Sequence, residues 1–206
     1  MIPTPPLRVR NHLAEIILAA LEDGGARGEL AALGEPGAPA PGWLEHDELV
    51  HAHLVRERAR SASAALAARS TVRIRSRADV LDAAAALFDA HLYFEVHELL
   101  EPSWREAQGN DREALQGLIQ VAVGYQHLAN GNFAGARALL DEGRGRLRGR
   151  NLDGLDLDVF GQAVAHSLDQ LFHFDWRAAP AFPRLVDINV RKETSLISNC
   201  PARRHW

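Results

Sequence analysis

The chain has one cysteine, Cys200, in 206 residues, which excludes an internal disulfide and a cysteine-rich zinc site. A reducing cytoplasm is the expected setting. No apolar run is long enough to cross a bilayer: residues 118–125 form the longest, contain Gln120, and fall far short of the ~20 residues a spanning helix needs. The N-terminus has no basic start followed by an apolar stretch, so no export signal is expected. A net charge of −4 gives no general attraction to nucleic acid or to an anionic membrane. Lysine is nearly absent, with Lys192 alone. Together with abundant Ala, Arg, Gly and Leu, this reflects the amino-acid usage of a GC-rich genome and says nothing about function.

What is present is the composition of a globular helical protein, 47% hydrophobic and 24% charged. Residues 7–22 read as an amphipathic helix, and residues 34–42, with three prolines and three glycines, read as a linker. A second helix is expected over 44–68, and 71–75 as an extended connection. Ser76-Arg77-Ala78-Asp79 has the form of a capping box opening a helix over 78–90. Helices follow over 93–107, 112–129, 133–147 and 156–173, with a turn at Gly109-Asn110-Asp111. The 112–129 segment is apolar nearly all round and belongs at the centre of a bundle. The expectation is an all-α protein, a single bundle of four to six helices with antiparallel neighbours. It comprises an N-terminal helical extension with a Pro/Gly linker (1–77), a helical core (78–176) and an irregular C-terminal tail (177–206).

The chemistry concentrates in 93–104. At 100° per residue, Tyr93, Phe94, His97, Leu100, Glu101 and Trp104 share one face centred on His97. If this helix and the next form an antiparallel hairpin, facing residue numbers sum to about 220. His97 then faces Val123, Glu101 lies near Gln120, and Trp104 faces Gln116, while Gln116, Gln120 and His127 line up on the second helix. One reading is a buried hydrogen-bond network that fixes helix register, in which Glu101 accepts from His97 and from a glutamine. The other is a pocket for a small ligand or a divalent metal, with His97 and Glu101 as ligands and His127 as a third. Glu98, in His97-Glu98-Leu99-Leu100-Glu101, turns toward the edge of that face. The string departs from a zincin motif, because Glu101 stands where a second histidine is needed. Pro102 removes the hydrogen bond to the Glu98 carbonyl and is expected to bend the helix.

Residues 88–104, Phe-Asp-Ala-His-Leu-Tyr-Phe-Glu-Val-His-Glu-Leu-Leu-Glu-Pro-Ser-Trp, resemble the signature of domain of unknown function 309, a prokaryotic helical family, and a bacterial source is expected. Leu115-Gln116-Gly117-Leu118-Ile119-Gln120, His127, and Gly131-Asn132 with Gly135-Ala136-Arg137 extend the resemblance over about 79–148. It implies a compact all-helical domain and carries no activity with it.

Other patterns are weaker. Phe94–Leu100 and Phe133–Leu139 echo each other as tetratricopeptide-like hairpins do, which would make the chain a partner-binding module with a purely structural polar stripe. Arg144, Arg146, Arg148 and Arg150, and separately Arg56, Arg58, Arg60 and Arg69, are close enough in sequence to suggest a phosphate-binding patch. They lack interleaved aromatics, so nucleic acid is not the expected partner. Asp153, Asp156 and Asp158 miss the spacing of a calcium loop. The function expected is binding of a small molecule or metal, or an uncharacterised enzymatic role, at a semi-buried pocket of His97, Glu98, Glu101, Trp104, Gln116, Gln120 and His127. The alternative is a structural or protein-partner-binding module in which these residues form only a core hydrogen-bond network.

Overall fold

The computed structural model describes residues 5–71 and 73–184. Cys200 and the expected tail beyond residue 184 lie outside them. Eight α-helices occur among the described residues: α1 Leu7–Ala19, α2 Gly24–Gly34, α3 Ala52–Ala67, α4 Arg77–Asp89, α5 Tyr93–Glu106, α6 Gly109–Ala129, α7 Phe133–Leu147 and α8 Asp158–Asp169. The all-α class holds, and the helix count exceeds the expected four to six. The helix with no counterpart among the expected segments is α2. Three of its four glycines, Gly24, Gly25 and Gly28, crowd its first five residues, and a glycine inside a helix disfavours it by about 1 kcal/mol relative to alanine. Two features offset this. Asp23 caps the first turn, accepting from the Ala26 N–H at 2.6 Å, and Leu30 is buried in the core.

Local signals account for most other boundaries. At the start of α4, Ser76 Oγ accepts from the Asp79 N–H and Asp79 Oδ2 accepts from the Ser76 N–H, a reciprocal capping box. Three hydrogen bonds, the first from the Arg75 N–H, hold the Asp79 carboxyl below its ordinary range. Asn132 caps α7 by accepting from Gly135. The α5–α6 turn is tighter than expected: α6 begins at Gly109, with Gln108 at the N-cap, so Asp111 lies inside the first turn. Gly109 adopts φ +56°, which glycine tolerates without a Cβ clash. α5 continues through Pro102 to Glu106. A 3-10 turn at His46–His51 precedes α3 in place of the expected unbroken helix. Asp153-Gly154, both at positive φ, make a two-residue hairpin between β1 Asn151–Leu152 and β2 Leu155–Asp156, as Asp-Gly favours.

α6 is the central rod, buried along most of its length. It lies against α5 on one side and α7 on another. The approach to α7 is close because Gly117, Gly124 and Gly143 carry no side chain: a Cβ on Gly143 would sit 2.9 Å from Val121 Cγ2 and 3.0 Å from the Gly117 carbonyl oxygen. One apolar cluster runs from Val9, Leu13 and Ile17 of α1, through Leu66, Leu87, Phe88, Leu100, Leu118 and Leu140, to Phe160 and Phe182. The N-terminal helices therefore share the core, each fully buried large side chain contributing about 1.5–3 kcal/mol.

Gly143→Ala and Gly145→Ala separate close packing from helix propensity. The first meets backbone and should lower the unfolding free energy by about 1–3 kcal/mol. The second, with nothing within 4 Å, should raise it by up to about 1 kcal/mol. Chemical denaturation of both variants checks this, and equal stabilisation by the two would contradict the close approach.

Candidate functional site

α5 buries Tyr93, Glu95, Val96 and Leu100. With Glu95 at 0° on the helical wheel, Val96, Leu100 and Tyr93 fall at about 100°, 140° and 160°, so the buried arc begins at a carboxylate. His97, Glu101 and Glu98 follow at about 200°, 240° and 300°, on the rim between core and solvent. Their side chains are 30%, 28% and 38% exposed. The expectation of an inward-facing His97 and Glu101 is thus corrected to a half-buried rim. The apolar face is centred about 100° away from His97, because Glu95 belongs to it.

The rim is self-contained. His97 Nδ1 lies 3.0 Å from Glu98 Oε1, so Glu98, expected at the edge of the face, is the residue in contact with the imidazole. Glu101 Oε1 accepts from Arg105 Nη2 at 2.7 Å, where His97 and a glutamine were the expected donors. One potential ligand atom from each of His97, Glu98 and Glu101 lies within 4.8 Å of the other two.

The α6 residues expected to face this rim go elsewhere. Gln120 is buried and hydrogen-bonds the Glu142 carboxylate on α7. That bond, with help from Arg146, holds the Glu142 carboxyl below its ordinary range. Gln120 Oε1 finds no partner among the described residues. His127 Nδ1 lies 2.9 Å from Asn132 Nδ2 at the head of α7. Gln116 is half-buried, and among the described residues no hydrogen bond joins it to the rim. Trp104 is half-buried against the core, and the Arg112 guanidinium lies 4.1 Å from its ring centre. Arg112 also donates to the Trp104 and Arg105 carbonyls, satisfying the end of α5. The hairpin register holds in outline, but α6 is rotated so that its polar stripe serves α7. α6 is apolar on nearly every side, so its sequence pattern does not reveal which neighbour each glutamine meets.

Two further features were not anticipated from the sequence. Arg58 Nη2 of α3 contacts both carboxylate oxygens of Glu95, at 3.0 and 2.7 Å. Glu95 is fully buried and Arg58 nearly so. A signal existed: Arg58 interrupts the stripe Val55, Ala59, Ala62, Leu66 on the buried face of α3. The second is an aromatic cluster beside α5. Tyr93 and Tyr125 stack at 5.4 Å, and the Tyr125 hydroxyl donates to Ser167 Oγ at 2.8 Å. The Tyr93 hydroxyl has no partner among the described residues. Burial pushes both phenols well above their ordinary range.

The arginine runs do not form a free cationic patch. Arg144 pairs with Asp141, Arg146 with Glu113 and Glu142, and Arg69 with Asp82. Arg56 and Arg60 donate to the Ala38 and Gly34 carbonyls. Asp153 pairs with Arg77, which holds its carboxyl low.

Residues 81–139, from α4 into α7, match the sequence model of a family described as Domain of unknown function (DUF309). No curated protein and no solved structure matches the chain. The matched segment contains the whole α5 rim, while Arg58, which fixes Glu95, lies outside it.

Gln120→Leu should raise the Glu142 pKa toward the ordinary carboxylate value and leave the His97 imidazole signals in place. Side-chain NMR titration of both residues checks this. A response at His97 with none at Glu142 would put Gln120 on the α5 side.

Proposed function

We propose that the rim of α5 binds a divalent first-row metal ion, with His97 and Glu101 as ligands and Glu98 orienting the imidazole. The observation that carries this reading is the convergence of the three side chains, with one ligand atom from each within 4.8 Å of the others. The donor set suits such an ion: one imidazole nitrogen with carboxylate oxygens fits zinc, nickel or copper better than magnesium. The 3.0 Å contact between His97 Nδ1 and Glu98 selects the tautomer protonated at Nδ1 and leaves Nε2 as the ligand atom, the usual role of a carboxylate behind a metal-bound histidine. Glu101 stands one helical turn away, at the i+4 spacing that puts two side chains on one surface. The remaining coordination positions would be open to water or to a small anionic ligand.

A second reading has an observation of its own. Arg105 already satisfies Glu101, as Glu98 satisfies His97, so the rim is consistent with a surface hydrogen-bond chain on a structural or partner-binding helical module. Arg105 is the most exposed member of the set, at 66%. An exposed pair of this kind is worth at most about 1 kcal/mol, so a cation competing for Glu101 displaces little.

Equilibrium dialysis of the full chain against zinc, with metal content read by elemental analysis, separates the two. Stoichiometric zinc is expected near neutral pH, and its affinity should fall in acid, where protons compete with the metal. His97→Ala and Glu101→Ala should each abolish it, and Glu98→Gln should weaken it about 10- to 100-fold. Wild-type protein that retains no metal, or variants that retain it undiminished, would leave the structural reading.

A further inference from the structure

Between α8 and the last described residues the chain crosses the aromatic cluster as a strap. Leu171 is buried at one end. At the other, Phe182 inserts beside Phe88 and Phe160, with ring centres 5.3 and 5.7 Å away. The carboxylate of Asp89, at the end of α4, holds that far end, accepting from the Phe182 N–H at 2.9 Å and from Arg184 at 2.6 Å. Between these anchors the strap is two 3-10 turns, Leu171–His173 and Trp176–Ala178. Its hydrogen bonds there are local: His173 to the Gln170 carbonyl, Arg177 to the Asp175 side chain, Ala178 to the Asp175 carbonyl. Its middle meets the body through rings. Phe174 lies 5.9 Å from Tyr125, and Trp176 lies 6.2 Å from Tyr93 and 5.5 Å from His91.

His91 is the unusual member of this set. It follows α4 at φ +61°, a left-handed position that glycine or asparagine ordinarily fills. The bonds from the His91 N–H to Phe88 and from the Leu92 N–H to Leu87 hold it there. Its imidazole stacks on Tyr93 at 5.7 Å and 23°, so it lies against Tyr93 and Trp176 at once. We propose that residues 171–178 are a strap latched over the Tyr93–Tyr125 pair by the neutral His91 imidazole, and that protonation of His91 releases it.

The charge bookkeeping supports one switch group. From α4, Asp89 faces His91, but its carboxylate is engaged by Arg184 and the Phe182 N–H. From α5, Tyr93 stays neutral because burial raises its pKa. On the strap, Asp175 is held ionised by Arg177. His173, also on the strap, is exposed. Burial lowers the His91 pKa below 6.5 and outweighs the opposing pull of Asp89. The closed strap therefore prefers the neutral ring, and the open one lets it titrate near its ordinary value. As pH falls through about 6.5, the open form binds more protons and its population grows, by up to about tenfold per unit of pKa separation.

Amide hydrogen exchange of the full chain at about pH 7.5 and about pH 5, corrected for intrinsic exchange rates, tests this window. Opening of 171–178 should increase several-fold in acid while α6 keeps its protection. His91→Asn, which tolerates the left-handed backbone, should remove the pH dependence. The same acid response in that variant, or a loss shared by α6, would overturn the latch. NMR titration of His91 in Trp176→Ala gives an independent check. Its pKa should rise toward 6.5, and an unchanged value would also overturn the proposal.

Discussion

A buried ion pair sets the geometry of the molecule. Taking a guanidinium and a carboxylate out of water costs several kcal/mol for each ion, and close contact has to return it. Arg58 and Glu95 make such a contact, with both carboxylate oxygens within 3.0 Å of one guanidinium nitrogen. The pair joins α3, in the N-terminal part of the chain, to α5. It thereby fixes the rotation of α5. With Glu95 turned to α3 and Val96, Leu100 and Tyr93 turned to the core, the remaining arc is the rim that carries His97, Glu98 and Glu101. In this rotation one nitrogen or oxygen atom from each of the three side chains lies within 4.8 Å of the others.

The same constraint explains what could be read from the sequence. The Ser76–Asp79 cap was legible because it is local, needing only residues within a few positions, whereas the Asn132 cap and the Asp153-Gly154 hairpin, equally local, were not anticipated. The centrality of α6 followed from an apolar surface with almost no polar side. The orientation of α5 did not follow, since a helix wheel assigns a glutamate to solvent and cannot see the arginine that brings it inside. That single assignment moved the expected face by about 100° and placed His97 opposite α6. α2 was missed for a related reason, because its glycines argue against a helix that burial of Leu30 and the Asp23 cap sustain.

At the site, residue types were read more accurately than their partners. His97 and Glu101 share a surface, and Glu98 joins them, but Gln120 and His127 belong to the α6–α7 seam. There the absent side chains at Gly117, Gly124 and Gly143 draw two helices close enough for Gln120 to reach Glu142. The polar groups therefore divide into two sets with separate duties. One stabilises the seam, with Gln120 buried and its partner Glu142 at the surface. The other is half open, lies within the segment matched to the family, and has the donors for a cation.

The dependence of this arrangement on Arg58 and Glu95 is measured most directly by a double-mutant cycle with Arg58→Met and Glu95→Leu, followed by chemical denaturation. Each single change leaves an unpaired buried charge and should cost about 3–5 kcal/mol. The double variant should recover most of that loss, giving a coupling energy well above about 1 kcal/mol. Additive losses within about 0.5 kcal/mol would mean that the two residues do not hold each other, and the account of how α5 is oriented would fail with them.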